Sequence, residues 1–110
     1  KLKADSWQRL PQLPTARYNL AATTDGQGRP LAIGGNNGDT VGTVERFDGS
    51  AWQSLPDLPT PRYGLAATTD SQGRPLAIGG RNSNGNIVGT VERYVVPIPT
   101  APSNLTATLQ

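Results

Sequence analysis

Histidine and cysteine are both absent from this sequence of 110 residues. Their absence removes the commonest general base, the thiol nucleophile and the strongest transition-metal ligands. There is no disulfide to report an oxidising compartment, but a fold closed by packing needs no such staple, so the lack does not argue for cytosol either. No apolar run approaches the roughly 20 residues that span a bilayer, which excludes a transmembrane helix. No secretory leader is visible, although Lys1 need not be the natural start, and export stays compatible with the sequence. The formal charge is only +2, with no polybasic run or aromatic-basic stripe, so nucleic acid is not an expected partner.

Turn formers are abundant instead: 13 glycines and 10 prolines. That content suits many short strands joined by tight turns rather than helices. The chain also repeats itself. Residues 6–35 align without gaps onto 51–80 at an offset of 45, and 24 of the 30 pairs are identical. VGTVERF at 41–47 then matches VGTVERY at 88–94 at an offset of 47. A period of this length suits a propeller blade or an α-solenoid unit. Inside the unit, short β-like runs alternate with turn chemistry: Leu20–Thr24, Asp25–Gly28, Pro30–Gly35, Asn37–Gly38, Thr43–Phe47, Asp48–Gly49 and Trp52–Leu55. Asn-Gly and Asp-Gly are hairpin signals because type I′ turns need positive φ at both central residues. No stretch sustains a 3.6 period, so the solenoid fails. The expected fold class is all-β, with four-stranded antiparallel meanders.

Residue sizes fit a radial order. The first strand of each unit is small (LAATT), as crowding near an axis requires. The fourth carries Trp7 or Trp52, large enough for a wider outer gap. Gly34–Gly35 and Gly79–Gly80 close the second strand, where a bulge or close backbone approach needs a missing Cβ.

These features together resemble the Kelch family of β-propellers. The matching residues are the glycine doublets, Glu45-Arg46-Phe47 and Glu92-Arg93-Tyr94 of strand three, Trp7 and Trp52, and the segments Leu13–Arg17 and Leu58–Arg62. The resemblance covers residues 6 to about 96. WD-repeat propellers fit less well, since their Gly-His and Trp-Asp dipeptides are missing. The resemblance implies two Kelch-type blades in residues 1–96: an outer strand at 7–10, a whole blade at 20–55 and an incomplete blade at 65–94. In Kelch propellers the two chain ends commonly complete one blade, and the orphan strand Trp7–Leu10 is of the type the second blade lacks. Two blades expose two apolar faces, and repeat folds generally need about three units. Completion is therefore expected either from other chains, with six blades as a trimer favoured, or from further covalent repeats. In the first case Trp7–Leu10 would pair near Val91–Tyr94 of a different chain.

Residues 97–110 read as a Pro-rich linker, with Leu105–Leu109 alternating like a short strand. The run from Ala101 to Ala107 is similar to the opening of a fibronectin type III domain, a common neighbour in bacterial surface proteins, which weakly favours an extracellular or cell-surface location. Asn104 begins a glycosylation sequon.

Some Kelch relatives are copper radical oxidases, whose site needs a tyrosine crosslinked to cysteine plus histidine ligands. That set cannot be assembled from these residues. Glu45 and Glu92, like Arg17 and Arg62, recur at equivalent positions, which reads as architecture rather than catalysis. Gly26-Gln-Gly28 precedes a strand and is no phosphate loop. Asn82-Ser-Asn84-Gly-Asn86 lacks the acidic ligands and closing Glu of a calcium loop. No catalytic residue, metal site or cofactor is expected. The two units differ most between strands two and three, at 36–40 and 81–87, and loops on a rigid scaffold are where binding concentrates. Asn36, Asn37, Asp39, Arg81, Asn82 and Asn84 are the candidate ligand-binding residues, for a peptide carboxylate or a glycan. The expected function is a non-catalytic interaction or scaffold module; the alternative is a piece of a larger sugar-active enzyme.

Overall fold

A computed structural model describes residues 4–96. The linker expected at 97–110, its strand-like Leu105–Leu109 and the Asn104 sequon lie outside the described residues. The described residues are all-β: β1 Ala21–Thr24, β2 Pro30–Ile33, β3 Val44–Phe47, β4 Trp52–Leu55, β5 Ala66–Thr69, β6 Pro75–Ile78 and β7 Val91–Arg93. Consecutive strands pair antiparallel, giving a four-stranded sheet β1-β2-β3-β4 and a three-stranded sheet β5-β6-β7. The repeat is kept in the register: Ala21 faces Ile33 and Leu31 faces Arg46 in the first sheet, as Ala66 faces Ile78 and Leu76 faces Arg93 in the second.

Aspartates shape the first turn of each unit. The Asp25 carboxylate accepts the N–H groups of Gln27 (2.9 Å) and Arg29 (3.0 Å) and the Arg29 Nε–H (2.9 Å). Asp70 does the same for Gln72 and Arg74, and Asp48 caps the β3–β4 turn through Ser50 and Ala51. Burial alone would raise the Asp25 pKa, but the Arg29 and Gln27 amides and the Arg29 guanidinium hold it below the ordinary 3.8. The amides of Arg74 (at Asp70) and of Ser50 (at Asp48) lead the same downward shift. A carboxyl depressed in the folded state stabilises above its unfolded pKa and loses that contribution as pH falls through the folded value. The melting temperature is therefore expected to be flat from neutrality to about pH 5 and to fall below about pH 4. Circular dichroism melts across that range check it, and Asp25→Asn should shallow the acid limb. A melt unchanged down to pH 2.5 would contradict the role given to these turns.

The sheets stack face to face. Alternation along β2 and β3 points Leu31, Ile33 and Val44 at the second sheet, where they meet Leu58, Leu65, Ala67 and Ala77. Between the sheets' first strands, Thr23 and Thr69 share a hydroxyl hydrogen bond of 2.7 Å, and Thr69 also donates to the Thr24 carbonyl. Backbone bonds cross the junction at both ends: Gly35 N–H to the Arg62 carbonyl (2.8 Å), Gly64 N–H to that of Asn19 (2.7 Å) and Gly26 N–H to that of Gly73 (3.0 Å).

The repeated arginines and glutamates are structural partners. Arg17 is bound to Glu45 at 2.8 Å and donates to the Gly34 carbonyl at 2.6 Å, while Thr15 donates to the other Glu45 oxygen. Arg62 repeats this with Glu92 (2.7 Å), the carbonyls of Gly79 (2.9 Å) and Thr90 (2.7 Å), and Thr60 on Glu92. Each arginine thus ties the Leu-Pro-Thr crossing segment to the sheet that follows it in the chain. The outer tryptophan also finds its place: Trp52 packs on Phe47 with ring centroids 5.2 Å apart, and its Nε1–H donates to the Pro11 carbonyl at 2.9 Å.

Trp7–Leu10, expected to pair with the third strand of a different chain, forms no strand within the described chain, and Trp7 is 101% exposed. A strand needs a partner edge, and the β3 edge is already taken by β4. Asn37-Gly38 is not a two-residue hairpin between strands. It sits at the tip of an excursion from Gly34 to Thr43, whose base is fixed by Asn36 bridging both Tyr18 and Thr40.

Candidate functional site

The divergent loops, 34–43 and 79–90, emerge at the same end of the two sheets. Each is anchored by a bridge to the crossing segment before β1 or β5: Tyr18 with Asn36, and Tyr63 with Arg81. Between them lies an open polar depression lined by Asn36, Gly38, Asp39, Thr40, Tyr63, Ser83, Asn84 and Gly85. Of the candidate residues it brings together Asn36, Asp39 and Asn84. Asn37, Arg81 and Asn82 are not in its lining.

Hydrogen bonding separates loop builders from free groups. The Asn82 carboxamide oxygen accepts the N–H groups of Asn84 and Asn86, both at 3.0 Å. Asn36 accepts Gly38 N–H at 2.8 Å and Asn37 accepts Asp39 N–H at 3.4 Å. Arg81 donates to the Gly85 carbonyl at 2.8 Å, closing its own loop. The three asparagines form Asx-type turns and Arg81 staples its own loop, so removing these side chains would reshape the backbone. The side chains of Asp39 and Asn84, by contrast, have no hydrogen-bond partner among the described residues. Tyr63, Thr40 and Ser83 complete the lining and were not among the candidates. The signal for Tyr63 was the repeated Arg-Tyr pair: a side chain adjacent to a buried arginine points the opposite way along an extended segment.

Chemically, the depression offers one carboxylate, two carboxamides, hydroxyls and a phenol ring, open to solvent. This set hydrogen-bonds and stacks but carries no nucleophile with an adjacent base. Among the described residues no three histidine, cysteine, aspartate or glutamate side chains gather as a metal site would require. At the opposite end the arginines are committed: Arg29 and Arg46 lie 2.9 and 3.6 Å from Asp25, Arg74 and Arg93 2.8 and 3.7 Å from Asp70.

No family model matches the chain, and no curated protein sequence matches it. Chains of solved structures do, 78 of them. One is a fungal alcohol oxidase of the AA5 family in complex with copper, with a TM-score of 0.59 and 24% identity over 74% of this chain. The chain spans only 17% of that oxidase's length, so the likeness is one of fold over a single stretch.

Proposed function

We propose that the chain is a non-catalytic interaction module built as two Kelch-type propeller blades, and that it binds a glycan through the loop end of the sheets. The observation that carries the reading is the pair of free polar side chains, Asp39 and Asn84, facing one depression from two different loops beside the Tyr63 ring. Carboxylate and carboxamide groups match the paired hydroxyls of a sugar, and an aromatic ring covers its apolar C–H face. The surrounding loops are braced by their own amides, so the groups are held before a ligand arrives. A protein partner that uses the same groups is the other outcome of the test.

Glycan and peptide arrays would identify the class of ligand. With a hit in hand, Asp39→Ala and Asn84→Ala are each expected to weaken binding about tenfold, the effect of losing one hydrogen bond to a sugar hydroxyl, with the melting temperature unchanged. Asn82→Ala should instead lower the melting temperature, because its oxygen holds the turn. Full affinity in both free-side-chain variants would move the site elsewhere. A second reading is that this stretch is part of a larger sugar-active enzyme with its catalytic groups outside; the fold it shares with a fungal alcohol oxidase, of which it spans 17%, is compatible with that. A longer open reading frame with histidine- and tyrosine-bearing loops between further repeats would support it.

A further inference from the structure

The junction between the two sheets leaves a copy of itself unused. Leu31, Ile33 and Val44 of the first sheet are buried by the second. Their equivalents on the second sheet's far face are Leu76, Ile78 and Val91, of which Leu76 is half-buried and Ile78 and Val91 are exposed. Exposure rises from 3% at Ile33 to 37% at Ile78, and from 6% at Val44 to 56% at Val91. The amide of Gly35 donates across the junction to the Arg62 carbonyl, whereas that of its equivalent, Gly80, has no acceptor among the described residues. The face that fits Leu76, Ile78 and Val91 is also present. Leu13, Arg17 and Leu20 are the equivalents, 45 residues earlier, of Leu58, Arg62 and Leu65, which seat on the first sheet. Asn19 even adopts φ +55°, the backbone conformation of its equivalent Gly64 at +64°.

The open edge of β7 matches in the same way. Thr90 and Tyr94 bond toward β6, so by alternation Val91 and Arg93 turn their backbone groups outward. In the first sheet the equivalent edge of β3 pairs Val44 with Leu55, Arg46 with Gln53 and Phe47 with Trp52. Trp7–Leu10 is WQRL against WQSL of β4 and pairs with no strand among the described residues. The cleft between the sheets beside β7 is lined by Pro56, Leu58, Pro59 and Tyr94. Tyr94 and Pro56 are the equivalents of Phe47 and Pro11, the two residues that hold Trp52.

We infer that a second copy of this chain docks on the second sheet. Its Trp7–Leu10 adds to β7 as a fourth strand, with Trp7 opposite Tyr94, Gln8 opposite Arg93 and Leu10 opposite Val91. The Trp7 indole enters the cleft, stacks on Tyr94 and donates its Nε1–H to the Pro56 carbonyl. Leu13 and Leu20 of the same copy cover Leu76, Ile78 and Val91, and its Arg17 carbonyl accepts the Gly80 amide. The occupant is a second copy because every contact repeats one the chain already makes, either within its first sheet or between its two sheets. The contact is head-to-tail, and repeated it closes into a ring. With two blades per copy and typically 4–8 blades per propeller, three copies and six blades are the expected closure.

The inference shares the blade reading with the proposed function but is read by mass and fluorescence rather than ligand binding, so either can fail alone. Light scattering on the full chain is expected to give one species of about three times 11.6 kDa. Trp7→Ala should reduce it to the single-chain mass with strand content retained, since Trp7 is fully exposed among the described residues, and Trp7→Phe should restore assembly in part. In a Trp52→Phe background Trp7 is the sole indole, and its emission should shift to the blue on assembly and back to the red on dilution. A folded chain of 11.6 kDa at micromolar concentration, or an assembly untouched by Trp7→Ala with Trp7 emission still that of exposed indole, overturns the inference.

Discussion

Replacing Arg62 by alanine is expected to cost about 3–5 kcal/mol of folding stability, the range for breaking a buried ion pair by removing one partner. The Arg62 side chain is completely enclosed. Its fork joins four acceptors: the carbonyls of Thr60, Gly79 and Thr90 and the Glu92 carboxylate. Without it, Glu92 keeps only the hydroxyl bond from Thr60, the Gly79 carbonyl loses its donor at about 1–3 kcal/mol where water does not replace it, and the Thr90 carbonyl keeps only the Gly79 amide. Glu92 is 21% open to water, against 6% for Glu45. Water can therefore stand in more readily at Arg62, and Arg17→Ala belongs at the upper end of the range. Lysine should recover less than half, because one ammonium cannot span a carboxylate and two carbonyls as a planar guanidinium does. The double variant Arg62→Met with Glu92→Leu should sit between wild type and Arg62→Ala, relieved of the unpaired charge but not of the Gly79 carbonyl left without its donor. Urea unfolding at one fixed protein concentration measures this, since assembly would couple to unfolding. A loss below about 1 kcal/mol would remove the staple role.

Why that pair was legible, and the loop chemistry less so, follows from what repetition encodes. Arg17 with Glu45 and Arg62 with Glu92 recur at matching positions, and a residue kept in both copies serves what both copies share, the sheet and its crossing segment. The same logic read the small first strands, which pack together through Thr23 and Thr69, and the outer tryptophan, which found Phe47. Residues that differ between copies carry no such constraint. Asn82 and Arg81 look like ligand groups in sequence, yet their short reach to the following amides and carbonyls makes them turn builders. Asp39 and Asn84 are the same residue types, and only the backbone path shows that they face open space. Tyr63 is identical to its copy, Tyr18, so the differences between the copies did not single it out. The outer strand at 7–10 was read from its likeness to 52–55, and within one chain it meets no such edge, since β4 already occupies that of β3.

Substitution of two equivalent glycines separates folding from assembly. Gly34→Ala is expected to cost the single chain about 2–4 kcal/mol, and Gly79→Ala only about 1 kcal/mol. The backbone term is the same in both, because φ is +67° at Gly34 and +66° at Gly79, a left-handed conformation that costs an L side chain roughly 1 kcal/mol. The neighbours differ. A Cβ on Gly34 would meet the Arg62 carbonyl oxygen at 2.7 Å and the Leu65 Cδ2 at 3.2 Å. That carbonyl is itself held by the Gly35 amide, so the collision is with fixed backbone and the two sheets must part to relieve it. At Gly79 the nearest atom is the Val88 carbonyl oxygen at 3.5 Å, an ordinary contact. If a second copy seats on the far face, its Arg17 carbonyl and Leu20 take the places of Arg62 and Leu65, and the added methyl meets them. Gly79→Ala should then leave the strand signal and the urea midpoint of the dissociated chain close to wild type while shifting the assembly to the single-chain mass. Gly34→Ala should lower the midpoint at every concentration. Equal midpoints for the two variants, with the assembled mass intact in Gly79→Ala, would mean that neither position is set by a packed neighbouring sheet.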